Sequence, residues 1–141
     1  VTATLDDIRE AIAADLNEIS DLRADAYLTP TINPPHAMID IAGPTQVTFS
    51  AAGAVEYTFT VAIFDTFAAE RSSQKRFDQL RDPFHARSVK RKIEDSARLA
   101  ALDGIDYGEV GPGSDTEPIP FDGVTFLRVT WPLQVVIHQE S

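Results

Sequence analysis

The chain contains no cysteine, which excludes a disulfide framework, a thiolate nucleophile and a thiolate metal site. The redox compartment leaves no mark on it. No apolar run approaches the roughly 20 residues of a membrane-spanning helix. The opening VTATLDDIRE lacks the basic start and continuous apolar stretch of a signal peptide and is expected to open a helix, so cytoplasmic assembly is the default expectation. Histidine is sparse. His36, His85 and His138 are scattered, none paired at helical metal-ligand spacing, so each reads as an ordinary surface or strand-end residue and no metal is expected.

Catalytic signatures are missing as well. The serines have no nucleophile-elbow context, and Asp6-Asp7 and Glu94-Asp95 are sequence neighbours on helices, where side chains diverge. Gly111 to Ser114, GPGS, lacks the Gly-Lys-Ser/Thr ending of a phosphate loop, precedes no helix, and contains Pro112, which removes a backbone donor. The expectation is a protein that is not an enzyme and carries no cofactor.

What is present suits one domain over residues 1–141. The chain has a mass of 15.4 kDa, and 43% hydrophobic with 24% charged residues is an ordinary globular balance. A domain of this size buries roughly two-thirds of the surface its unfolded chain exposes. The net charge of −10 is unevenly spread: residues 71–98 sum to +5 and the remainder to −15. So acidic a chain is a poor nucleic-acid binder as a whole, since phosphate affinity comes from displacing counterions with Lys and Arg.

In Val55 to Phe64, VEYTFTVAIF, Val55, Tyr57, Phe59, Val61 and Ile63 alternate with small or polar residues, the pattern of a half-buried strand. Val124 to His138 alternates similarly, with Thr125, Leu127, Val129, Trp131, Leu133, Val135 and Ile137 on one face, and the two strands should form the sheet centre. Pro132 cannot donate to a ladder and predicts a bulge or an edge there. Thr4 with Asp7 caps an amphipathic helix of about five turns through Leu5, Ile8, Ile12, Leu16, Ile19 and Leu22. Three prolines force Tyr27 to Pro35 into an extended crossing. Short strands are expected over His36 to Ala42, closed by Gly43-Pro44, and over Thr45 to Ser50, with Ala51 to Ala54 turning into the main strand. Ala68 to Arg81 reads as a helix ended by Asp82-Pro83. Ser88 caps a second helix, with Val89, Ile93, Ala97 and Ala100 in a stripe, Leu99 and Leu102 beside it, and Gly104 as its stop. Ile105 to Val110 suggests a brief strand, and the turn formers of Gly111 to Asp122 suggest an exposed loop. The expected fold is α+β: a mostly antiparallel or mixed sheet of about four strands, packed against an N-terminal helix and two central helices.

The basic stretch invites two readings. It could follow a phosphate backbone, but no aromatics interleave for base stacking. Alternatively, a basic surface formed by Arg71, Lys75, Arg76, Lys90, Arg91 and Lys92 meets the acidic surface of another copy head to tail. The segment from Glu109 to Asp122, with Glu109, Asp115, Glu117, Asp122 and no basic residue, is a candidate channel lining or partner contact, in competition with the acidic face of the first helix.

These elements carry a resemblance. The crossing TINPPHAMI at Thr31 to Ile39, the strand VEYTFTVAIF, the helix QKRFDQLRD at Gln74 to Asp82 and the run SVKRKIED at Ser88 to Asp95 follow in an order similar to that of the tail terminator, or tail-completion, proteins of long-tailed bacteriophages. A Ser-Val/Ile step into a basic and apolar helix ending in an acidic pair resembles a recurring phrase of that family. The chain departs from the family's common Gly-Gly turn after the second helix, with Gly104 alone in ALDGIDYGEV. The resemblance implies a virion neck protein assembled in the host cytoplasm. It implies a homo-oligomeric ring, typically of six copies, that caps the tail tube protein, ends tube growth, receives the head-tail connector or stopper protein, and leaves a channel for DNA. It carries over no catalytic residue. A neighbouring stopper or adaptor, or a nucleic-acid-binding module using residues 71–98, is the alternative. Stoppers are commonly β-barrels, whereas the helices expected here favour the terminator.

Overall fold

Two long strands carry the fold, as the alternation in their sequences requires. The computed structural model describes residues 4–19, 21–40, 47–49, 54–67, 70–102 and 105–138. Strand β4 (Ala54–Thr66) pairs antiparallel along its whole length with β7 (Val124–His138), from Ala54 opposite His138 to Thr66 opposite Phe126. This register puts Phe59, Val61 and Ile63 beside Leu127, Val129, Trp131, Leu133, Val135 and Ile137 in one buried cluster, with Tyr57 at its margin. The odd-numbered residues of β7 from Leu127 onward are its core face, as predicted.

Among the described residues the sheet around this pair has seven strands rather than about four. Its order is β1 (Arg23–Asp25), β2 (His36–Asp40), β4, β7, β5 (Ile105–Val110), with β3 (Val47–Phe49) beside β4 and β6 (Glu117–Phe121) beside β7. Among the described strands β1 with β2 is the one parallel pair. The proline crossing connects them and contains a cis Pro34–Pro35 bond. The expected turns at Gly43-Pro44 and Ala51 to Gly53, Ile41 of the second strand, and the helix stop at Gly104 lie outside the described residues.

Pro132 sits opposite Thr60 without breaking the β4–β7 ladder. Its carbonyl accepts from the Gly111 amide at 2.8 Å, so the edge of Pro132 that lacks an N–H faces away from β4, into the gap between β5 and β6. The edge expected at this proline is therefore local. The bulge lies instead in β5, between Ile105 and Tyr107.

The exposed loop expected over Gly111 to Asp122 is half strand. Asp122 (φ 50°) and Gly123 (φ 79°) form the two-residue turn of a hairpin in which Phe121 faces Val124, the positive-φ pair that Asp-Gly favours. Pro118 and Pro120 obscured β6. In the alternation set by this turn, their imino nitrogens point away from β7, and an edge strand tolerates that.

Helix α1 (Leu5–Asn17) begins at Thr4, whose hydroxyl accepts from the Asp7 amide while the Asp7 carboxylate accepts from the Thr4 amide. It is shorter than the five turns expected. Asn17 turns its amide onto Ala24, donating to the carbonyl at 3.0 Å and accepting from the amide at 2.9 Å, which ties the helix end to β1. Ile19 and Leu22 remain buried in the turn that follows. Helix α2 (Glu70–Arg81) buries Phe77 and Leu80. The second central helix divides into α3 (Val89–Glu94), capped by Ser88, and α4 (Ala97–Ala100), capped by Ser96. The Ser96 hydroxyl accepts from the Arg98 and Leu99 amides and restarts the helix out of phase, so Ala97 of the expected stripe is exposed while Leu99, expected beside it, is buried. All four helices cover the same sheet face. On the other face Met38, Ala62, Phe64 and Phe126 form a small cluster roofed by Ile32 and Phe121, which the single-sided expectation missed.

Candidate functional site

The basic stretch is largely neutralised within the subunit. Arg76 grips Asp65 through Nε to Oδ2 at 2.6 Å and Nη2 to Oδ1 at 2.7 Å, and this partner holds its guanidinium above the ordinary value. Lys90 spans one helical turn to Glu94 at 2.5 Å and donates to the Val110 carbonyl at 3.0 Å. Glu94 in turn accepts from the Val110 amide, so the pair pins the end of β5 to α3. Arg91 lies 4.0 Å from Asp95, and Lys92 lies 4.0 Å from Glu18. Arg81 reaches the Ser114 carbonyl and the Thr116 hydroxyl, fastening α2 to the segment before β6. Of the six predicted basic residues, Arg71 and Lys75 remain, exposed on α2 and without an ion pair among the described residues. They stand one helical turn apart and share a face.

The acidic segment is also divided. Glu117 pairs with Arg128 across β6 and β7, and Asp122 occupies the hairpin turn. Glu109 is exposed beside a shallow depression with Thr58, Pro132 and Gln134, and Asp115 is exposed on the approach to β6. The four acids are thus spread over two ends of the same sheet edge rather than gathered in one loop.

A cleft of about 600 Å³ lies where the end of α1 meets α3 and α4. Asp15, 2% exposed, accepts from Arg98 at 3.0 Å, and Arg98 reaches Glu18 at 2.7 Å. Burial raises the Asp15 carboxyl above the usual value of 3.8, outweighing the lowering by Ser96 and Arg98. Lys92 and Arg91 line the same cleft with Asp95, so its charges balance and it offers no surface of one sign to a ligand. His36, expected as a surface or strand-end residue, opens β2 and is buried: its Nδ1 accepts from the Asn33 amide at 3.1 Å and its Nε2 donates to Asp25 at 2.5 Å, bracing β1 against β2. Among the described residues no group of His, Asp or Glu is placed to hold a metal ion, and no helix is long and apolar enough to cross a membrane.

Sequence reasoning missed the exposed apolar residues. Phe84 projects 88% exposed from the turn between α2 and α3, and Tyr27 and Leu28 stand exposed where the chain leaves β1. The available signal was position: Phe84 lies among turn formers in RDPFHAR, outside any helical phase that could bury it. No family profile matches the chain, and no curated protein matches it.

Proposed function

We propose that this chain is a structural subunit of the tail terminator kind, assembling head to tail into a ring of six copies. The ring caps the tail tube, ends its polymerisation and receives the head connector, while DNA passes through the bore without specific binding. The observation that carries the reading is the order and packing of elements: a capped amphipathic helix, a proline crossing, a long central strand, tandem helices and a long C-terminal strand on that central strand. This is the sequence of elements on which the resemblance rests. Neutralisation of most of residues 71–98 by internal acids weighs against the nucleic-acid alternative, because such a surface needs uncompensated Lys and Arg. The helical layer weighs against a barrel-type stopper. Electron microscopy of the purified chain tests the assembly: closed rings are expected, and open filaments or aggregates at every concentration oppose it.

A further inference from the structure

Phe84 is the most exposed of the large hydrophobic side chains described, yet the turn that bears it is tied by hydrogen bonds. Its amide donates to the Asp82 side chain at 2.9 Å, the His85 amide returns to the Asp82 carbonyl, and Arg91 donates to the Phe84 carbonyl at 3.3 Å. An aromatic presented on a fixed turn loses little entropy on docking, the property of residues that dominate association energies.

A matching receptor lies on the far flank of α1. That helix packs against β1 and β2 on one side and against α3 and α4 on the other. On the β1 side a cleft of about 300 Å³ runs between the helix and the crossing. Small side chains, Ala13, Ala24 and Ala26, floor it, and Leu28, 62% exposed, stands on its wall. Its charged lining is Glu10 and Asp25, with no basic residue, although Arg9 and Arg23 stand outside it. Phe84, in the turn that leads into α3, is not among the residues that line this cleft.

We infer that the Phe84 turn of one copy inserts its ring into the α1–β1 cleft of the next, with Arg91 approaching Glu10. The occupant is a second copy because the exposed ring meets a cleft floored by alanines and walled by exposed Leu28, and Arg91 beside the ring meets a lining whose charged residues, Glu10 and Asp25, are both acidic. That arrangement is the requirement for a heterologous contact that propagates in one rotational sense. The inference rests on the ring reading and names its contact.

Complementation tests it. Phe84→Ser destroys the knob and keeps the cleft; Leu28→Arg destroys the cleft and keeps the knob. Both positions are exposed, so thermal unfolding should match the parent chain and show that each variant folds. Sedimentation should find each variant alone at the monomer mass of 15.4 kDa. A one-to-one mixture should stop at about twice that mass, since one good knob meets one good cleft and both outer ends are defective. Assembly of Phe84→Ser like the parent, a mixture that remains monomeric, or a parent that never self-associates overturns the contact. Failure of the ring reading looks different: the parent and the mixture associate as expected, but the parent never occupies tail tube ends.

Discussion

Arg76 meets Asp65 in a two-point clamp, with both guanidinium-to-carboxylate distances below 2.8 Å and the carboxylate only 1% exposed. Ser73 adds to it, donating to the Thr66 carbonyl and accepting from Arg76 Nη2. The clamp fixes the end of the central strand to the middle of α2. A residue that charge patterning marks for an intermolecular surface is thereby committed to the fold. Arg76→Ala should cost about 2–4 kcal/mol, somewhat below the usual loss for a broken buried pair because the arginine keeps some solvent contact. Arg76→Lys should recover only part of it, lacking the planar fork. Urea denaturation that shows less than about 1 kcal/mol for the alanine variant would place the clamp outside the fold's energetics.

Phe59 lies fully buried at the middle of the central strand, opposite Leu133. Phe59→Ala should destabilise the subunit by about 3–5 kcal/mol, the range for a buried aromatic that leaves a cavity. A loss under about 1 kcal/mol in chemical denaturation contradicts its place in the core.

Much of this architecture was readable from periodicity. The core faces of β4 and β7 follow from strict alternation, and the capping box from Thr4 and Asp7, because these patterns depend on local geometry alone. What escaped depends on partners distant in sequence. Prolines 118 and 120 look like loop residues until β7 lies along one edge of β6 and leaves their nitrogens on the other. Asp122-Gly123 is the available hairpin signal. For the candidate surface, composition revealed the segregation of charge but not which charges were already spent: Arg76, Lys90 and Lys92 face acids 11, 4 and 74 residues away.

Asp15 gives the stability a pH dependence of defined sign. Burial places its folded-state carboxyl above the unfolded value of 3.8, so the folded chain holds this proton more tightly. Its contribution is fully present below the unfolded value, is lost as pH rises through the folded one, and is constant above. Relative to the parent, Asp15→Asn should therefore gain stability as pH rises through that window and show no further change above it. Denaturation curves collected from pH 3 to 7 check this; a parent chain that gains on the variant as pH rises contradicts the shift.

Arg71 and Lys75 are the predicted basic residues left exposed and without an ion pair among the described residues, and they replace Lys90, Arg91 and Lys92 as the sharper test of charge in assembly. Reversing both to Glu should leave the unfolding midpoint nearly unchanged, since exposed charges contribute little to folding. Association at low salt should weaken by about tenfold or more. The triple reversal of Lys90, Arg91 and Lys92 should instead disturb the fold too, because Lys90 pins β5. Unchanged sedimentation of the Arg71/Lys75 variant at low salt would remove these residues from the interface.

The central claim is the capping of a tail tube, and the most direct measurement is electron microscopy of growing tubes with and without the purified chain. The account predicts a ring of this protein at one end of each tube and arrest of further growth. Tubes that continue to lengthen with bare ends at saturating protein would contradict it.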